Sequence, residues 1–251
     1  MKAMILAAGL GTRLRPLTND RPKALVEVAG HTLLEITIAR LRQFGVREVI
    51  INVHHFSGLI LDYLKLKNNF NMRVEISREE VLLDTGGGLK KAAWFFLEDQ
   101  SQAPFILHNV DVISTIDLEL MLNSHQQNKA MATLAVQQRE TSRHLLFDEQ
   151  MRLCGRRIIK EQKLELVKPA KQPKELAFTG IHVISPRLLK MMSEDGVFSI
   201  VESYLRLAGQ GEKILGYRTE GAYWRDLGKP ENINAAAKDL KNHVFKIDQA
   251  L

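Results

Sequence analysis

Cysteine is nearly absent from this 251-residue chain: Cys154 stands alone, which excludes an intramolecular disulfide. No apolar run approaches the ~18 residues that a membrane-spanning helix needs. Aromatic residues make up only 6% and are scattered, so the aromatic-and-basic stripe expected of a nucleic-acid-binding surface is missing. The formal charge is +6, yet no run of five or six Lys or Arg occurs, and a solvated mixed surface accounts for that balance. No GxSxG elbow, CxxC pair or internal repeat appears, and no hexapeptide array follows the last helical pattern. The N-terminus carries one Lys and then apolar residues only as far as Ala8 before a loop rich in Gly, Arg and Pro. It reads as a buried first strand rather than an export signal, which favours the cytoplasm.

What is present is a rhythm of strands and helices. Residues 3–7 form a continuous apolar run, as expected of a strand covered on both faces. Residues 32–44 place Leu34, Ile38 and Leu41 at helical spacing, with Gly45 where a helix ends. Residues 46–53 are strand-like, and Ser57 is suited to cap a helix holding Ile60, Leu61 and Leu64. A short strand follows at 73–77, then a helix at 88–97 after the Gly86-Gly87-Gly88 triplet, then a strand at 105–110. The alternation predicts an α/β fold with a mostly parallel, doubly wound sheet. The second half is less regular: a helix at 117–127, strands at 131–136 and 178–184, and exposed hairpins or loops at 155–175. A helix at 199–208, strands at 214–217 and 223–226, and a helix at 230–241 that opens with Pro230 complete the pattern.

The first strand runs into Leu6-Ala7-Ala8-Gly9-Leu10-Gly11-Thr12-Arg13-Leu14-Arg15-Pro16. Two glycines after a strand permit positive φ and close backbone approach, so successive N–H groups can face phosphate oxygens. A dinucleotide-binding GxGxxG fits poorly, because the third position is Leu14 and Pro16 prevents a helix from starting there. The next strand ends in His54-His55 without an acid to hold a ribose, and no Gly-Lys-Ser/Thr of a Walker A loop follows. Instead Arg13, Arg15 and Lys23 set cations beside a Gly turn, which suits a triphosphate together with a second phosphate.

This segment, with Pro22-Lys23-Ala24-Leu25, resembles the signature of the sugar-1-phosphate nucleotidyltransferases, or NDP-sugar pyrophosphorylases. Further elements recur in order: Thr85-Gly86, an Asp closing the strand at 105–110, Thr179-Gly180-Ile181, and Trp224-Arg225-Asp226-Leu227-Gly228-Lys229-Pro230-Glu231. The resemblance implies one Rossmann-like domain of the nucleotide-diphospho-sugar transferase fold, with a smaller sugar-binding α+β portion. Its nucleotide-binding portion would be 1–115, its sugar-phosphate-binding portion 116–235 and its C-terminal helix and tail 236–251. The implied substrates are a nucleoside triphosphate and a sugar 1-phosphate, with neither nucleic acid nor membrane as partner.

Roles follow from the same resemblance. Arg13 and Lys23 would be catalytic: Arg13 on the triphosphate, Lys23 orienting phosphates at the reaction centre. Leu6, Ala7, Ala8, Gly9, Gly11, Thr12 and Arg13 would bind the nucleotide, with Glu79, Thr85, Gly86 and Gly87 at the base. Glu79 would accept the N3–H of a uracil; the alternative is that Glu79 or Glu80 merely solvates the loop. Asp111 and Asp226 would hold Mg²⁺, the hard cation that two carboxylates and phosphate oxygens describe. Asn109, Lys168, Thr179, Gly180 and Lys23 would contact the sugar phosphate. Asp84-Thr85-Gly86-Gly87-Gly88 is most similar to the N-acetylmuramate 1-phosphate uridylyltransferase branch, which implies UTP and an amino sugar. Two positions depart from the family pattern: Val110 replaces a Gly before Asp111, and Val167 replaces an acid before Lys168. The rival readings are a guanylyltransferase for mannose or heptose 1-phosphate, a cytidylyltransferase for a phosphorylated alcohol, and a non-catalytic sugar-nucleotide-binding protein. A degenerate sensor should lack one of Arg13, Lys23, Asp111 or Asp226, and all four are present.

Overall fold

A computed structural model describes residues 1–247; the last four positions of the predicted C-terminal tail, 248–251, lie outside the described residues. Along the chain, β1 (Lys2–Leu6) leads through a two-stranded ladder, β2 (Glu27–Val28) and β3 (His31–Thr32), into α1 (Leu33–Gln43). Then come β4 (Glu48–Val53), α2 (Ser57–Leu66), β5 (Arg73–Arg78), α3 (Asp84–Lys91), α4 (Ala93–Leu97), β6 (Phe105–Asn109) and β7 (Val112–Ser114). After α5 (Leu118–Asn128) the strands β8 (Ala132–Gln137), β9 (Arg143–Phe147), β10 (Leu153–Ile158), β11 (Lys163–Leu166) and β12 (Lys174–Ile184) follow in succession. Helices α6 (Arg187–Met191) and α7 (Ile200–Gly209), strands β13 (Ile214–Arg218) and β14 (Trp224–Asp226), and α8 (Pro230–Lys241) complete the order.

Two compact units interleave in the sequence. The first comprises Met1–Leu83, Leu107–Ile116 and the chain from Ala222; the second comprises Asp84–Ile106 and Asp117–Gly221. In the first unit β1 pairs in parallel with β4, Met4 opposite Ile50, and β4 in parallel with β5. Ala3, Met4, Ile5, Val49, Ile50 and Ile51 are fully buried, as continuous apolar strands between helices require. Helix α1 begins where the Thr32 hydroxyl accepts the Glu35 N–H, and Leu34, Ile38 and Leu41 form its buried stripe. It ends before Gly45, which takes φ of 76°. In the second unit β9, β10 and β11 form an antiparallel meander. Strand β12 lies antiparallel to both β9 and β8, and β13 runs parallel to β8.

Two local expectations change. Helix α2 is entered through Phe56 in the left-handed region, and no side chain caps it; its first turn closes on the Phe56 carbonyl, one residue too early for Ser57 to cap. The glycine triplet does not precede a helix but lies inside α3, which starts at Asp84. A Cβ at Gly86 would overlap the Phe198 ring, so glycine here serves close packing rather than a flexible loop. The helical pattern then breaks at Ala92, leaving α4 as a separate short helix.

Candidate active site

The chain leaves β1 at Ala7 and Ala8, both nearly buried, and the Ala7 N–H is taken by Asn52 Oδ1 at 2.7 Å. Gly9 has open space around it, whereas Gly11 takes φ of 65° and packs its backbone against Thr18 and Lys23. The Thr18 hydroxyl donates to the Gly11 carbonyl at 2.9 Å. A single 3-10 turn, Thr12–Leu14, follows, and buried Leu14 plugs it into the core while Thr12, Arg13 and Arg15 stay exposed. The loop is therefore rigid at its base and cationic at its rim, and no α-helix follows it, as Leu14 and Pro16 predict.

The two acids come together through one short ladder. Strands β7 and β14 pair antiparallel, Ser114 opposite Trp224 and Val112 opposite Asp226. The Leu227 N–H donates to the Asp111 carbonyl at 2.8 Å and extends that register past its end. Asp111 and Asp226 are thus neighbours across a ladder although far apart in sequence. Lys23 Nζ pairs with Asp111 Oδ2, with both side chains largely shielded from solvent. Asp226 Oδ1 accepts the Gly228 N–H at 2.5 Å, and its main-chain carbonyl accepts Asn232 Nδ2 at 2.7 Å.

Gly228 supplies the link to the first loop. A Cβ there would lie 2.6 Å from Arg13 Nη2 and 2.6 Å from Asp226 Oδ1. Only a residue without a side chain lets guanidinium and carboxylate share that space. Arg13, Lys23, Asp111 and Asp226 therefore gather in the first unit, two cations beside two carboxylates. Asn52, Gly228 and Asn232 were not expected as contributors; only Gly228 carried a signal, as the glycine two residues after Asp226 in Asp226-Leu227-Gly228.

Other expected residues are placed differently. Glu79 is buried, 2% exposed, and both its oxygens are engaged within the protein: Oε1 by Asn52 Nδ2 at 2.7 Å, Oε2 by the Leu83 N–H at 2.9 Å. His54 Nδ1 donates to the Glu79 carbonyl at 2.9 Å, while Glu80 is exposed. In the second unit Thr85 Oγ1 accepts the Ile200 N–H, and the Gly86 and Gly87 N–H groups both turn to the Phe198 carbonyl. Those amides hold α3 against the lead into α7 and are engaged within the protein. Thr179 is buried and its hydroxyl donates to the Ala135 carbonyl; Gly180, at φ of 83°, sits in the irregularity where β12 shifts register against β8. Lys168 leaves β11 with its N–H on the Cys154 carbonyl. Asn109 ends β6, its carbonyl accepting His108 Nδ1 at 2.8 Å. Burial pushes the His108 pKa down to about 4, so this ring is neutral near the acids. Beside it, Val110 donates its N–H to the Leu6 carbonyl and so seats Asp111 at the root of the first loop.

The chain is 34% identical over 247 residues to the N-acetylmuramate alpha-1-phosphate uridylyltransferase of Caulobacter vibrioides, covering 95% of this chain and 96% of that one. It is 28% identical to a mannose-1-phosphate guanylyltransferase of Mycobacterium tuberculosis, of which it spans 64%. A structure titled as a putative glucose-1-phosphate thymidylyltransferase from Bacillus anthracis shares the fold at a TM-score of 0.77 with 19% identity, covering 100% of this chain and 98% of that one. HddC from Yersinia pseudotuberculosis, complexed with GMP-PN, aligns at a TM-score of 0.73 with 23% identity over 95% of this chain and 98% of that one. These likenesses give the chain the mixed, mostly parallel sheet and flanking helices of the nucleotide-diphospho-sugar transferase fold. Residues 2–243 match the family described as nucleotidyl transferase, and to that family the chain belongs.

Proposed function

We propose that the protein transfers a nucleoside monophosphate from a nucleoside triphosphate to a sugar 1-phosphate and releases pyrophosphate. The observation that carries this reading is the gathering of Arg13, Lys23, Asp111 and Asp226 at the end of the first strand. In the reaction an oxygen of the sugar phosphate attacks the α-phosphorus. The new P–O bond forms as the bond to the β-phosphate oxygen breaks, and pyrophosphate leaves with that electron pair. The attacking oxygen is already anionic, so the step needs no general base, which fits a site of cations and carboxylates. Arg13 would hold phosphate oxygens of the triphosphate, and Lys23 would share its charge between Asp111 and the reacting phosphates.

The donor set suits Mg²⁺: two hard carboxylates on residues that a short ladder brings near one another, with phosphate oxygens to complete the shell. Among the described residues no group of three or more His, Cys, Asp or Glu gathers as a metal site, so the substrates would supply the remaining ligands. When bound, the ion would neutralise charge on the α-phosphate and the sugar phosphate. Gly228 orients Asp226 for this through its N–H, and Lys23 holds Asp111 in place.

UTP is the favoured nucleotide and N-acetylmuramate 1-phosphate the favoured acceptor. The support is the Asp84-Thr85-Gly86-Gly87-Gly88 sequence and the 34% identity over nearly the full length of the uridylyltransferase relative. A second reading, GTP with mannose 1-phosphate, draws on the guanylyltransferase relatives at 27–30% identity. A cytoplasmic location fits both, since nucleoside triphosphates are held there, and no helix of the described residues is long and apolar enough to cross a membrane. A matrix of NTPs against sugar 1-phosphates, read by pyrophosphate release with Mg²⁺, tests the proposal. Release with UTP and N-acetylmuramate 1-phosphate alone supports it; release with GTP and mannose 1-phosphate alone selects the second reading.

A further inference from the structure

Glu79 is a buried acid with no charged partner among its hydrogen bonds, and its chemistry does not match the role its position suggests. At 2% exposure it has no face left for a ligand. Its two oxygens take Asn52 Nδ2 at 2.7 Å and the Leu83 N–H at 2.9 Å. Asn52 is itself buried, and its own oxygen accepts the Ala7 N–H at 2.7 Å. A continuous relay therefore runs Ala7 N–H to Asn52, Asn52 to Glu79, and Leu83 N–H to Glu79. It crosses from the residue after β1, through the last pleat of β4, to the residue after β5. Directionality is fully determined: an Asn must accept from Ala7 and donate onwards, and a carboxylate must accept from both sides. Burying a carboxylate is costly, and it is kept only where its hydrogen bonds are met.

We propose that Glu79 is a positioning residue: with Asn52 it fixes the first turn of the phosphate-facing loop and the 79–83 segment together, and it does not read the base. This rests on the nucleotidyl-transfer reading for its effect on activity, but the relay itself is a property of the chain. Ala7 opens the loop that carries Gly9, Gly11 and Arg13, so a displaced Ala7 amide displaces the groups that would meet the triphosphate.

The donor–acceptor pattern supplies its own test. In Glu79→Gln some pair of donors must face each other whichever way the amides are turned. In Asn52→Asp two carboxylates meet in a buried site. In the double variant N52D/E79Q the pattern closes again. The Ala7 N–H donates to the new carboxylate at position 52, and so does the new side-chain amide at position 79. The Leu83 N–H then donates to the carbonyl oxygen of that same side-chain amide. Each single variant is expected to raise KM for the nucleotide about tenfold with a smaller change in kcat, and the double variant to return within about threefold, the relative rates with UTP and GTP being unchanged throughout. Amide hydrogen exchange at Ala7 and Leu83, read without nucleotide, is expected to speed up in both single variants and to recover in the double one. This second readout separates the relay from the functional reading, because it stands even where the wild type turns over none of the NTPs. The proposal is overturned if exchange at Ala7 and exchange at Leu83 are both unaltered in Glu79→Gln, if the double variant recovers neither exchange nor KM, or if Glu79→Gln alone changes the UTP-to-GTP ratio.

Discussion

Lys23 Nζ closes on Asp111 Oδ2 across 88 residues of chain, in a position where each would otherwise be a poorly solvated charge. The pair joins the segment that follows β1 to the end of β6, where the first acid stands. Removing either partner leaves the other uncompensated, so both are expected to matter beyond any contact with substrate.

Asp111→Asn and Asp226→Asn are each expected to lower pyrophosphate release by about a hundredfold or more, the scale seen when one electrostatic contact at a reacting centre is lost. The folded state should survive, since the β7–β14 ladder is made by the main chain. Lys23→Ala should fall in kcat by a similar factor. Steady-state rates alongside thermal unfolding check this, and full activity in both Asn variants would falsify the assignment of the acids.

Gly228→Ala places a methyl group 2.6 Å from Arg13 Nη2 and 2.6 Å from Asp226 Oδ1. The Arg13 side chain is the flexible neighbour and should give way. A loss of about tenfold to a hundredfold in kcat/KM is expected with little change in Tm, because a misplacement of ~1 Å at such a centre has that effect. Gly9→Ala is the informative companion: nothing lies within 4 Å of its added Cβ, so stability should hold while KM for the nucleotide rises. An unchanged KM would mean that the triphosphate does not approach that backbone.

Gly86→Ala tests the packing role of the triplet. The added Cβ would overlap the Phe198 ring and stand 2.9 Å from the Ile200 backbone nitrogen, which predicts destabilisation of about 1–3 kcal/mol by overpacking. A smaller residue at 198, as in G86A/F198L, should recover part of it. Urea unfolding gives the comparison; equal midpoints for wild type and Gly86→Ala would remove the contact from the account.

Two buried histidines predict how stability follows pH. Burial lowers the pKa of both His108 and His125 to about 4, from an ordinary value of 6.5. Between these limits the unfolded chain binds more protons than the folded one, so stability is fully present above pH ~6.5 and is lost as pH falls towards 4. His125 is neutral between the hydroxyls of Thr133 and Ser185, each at 3.0 Å. The urea midpoint should therefore fall steadily from pH 7 to pH 5, and His125→Gln should make that fall shallower. An identical slope in the variant would exclude His125 as a source.

The strands and helices of the first half were legible because their signals are local: the apolar run of β1, the period of α1 with its Thr32 cap, and the Pro230 start of α8. The gathering of Arg13, Lys23, Asp111 and Asp226 was legible too, since these residues stand in motifs that carry their surroundings with them. What escaped the sequence is pairwise. Glu79 looks like a loop acid until Asn52, on a different strand, is known to face it. Gly86 looks like turn chemistry until Phe198, over a hundred residues on, is found against it. Ser57 failed as a cap for a smaller reason, the left-handed Phe56 that opens the helix one step sooner. Such partners are chosen by topology, and no spacing rule along the chain encodes them.

The β7–β14 register has a consequence for the order in which the protein becomes competent. Val112 faces Asp226, so the second acid exists as a neighbour of the first only after the ribosome has added more than a hundred further residues. A nascent chain that ends between residues 111 and 225 holds Arg13, Lys23 and Asp111 but lacks Asp226. On the proposed reading, synthesis thus delays reactivity until Asp226 has been made, and a premature stop before it is expected to yield an inert fragment.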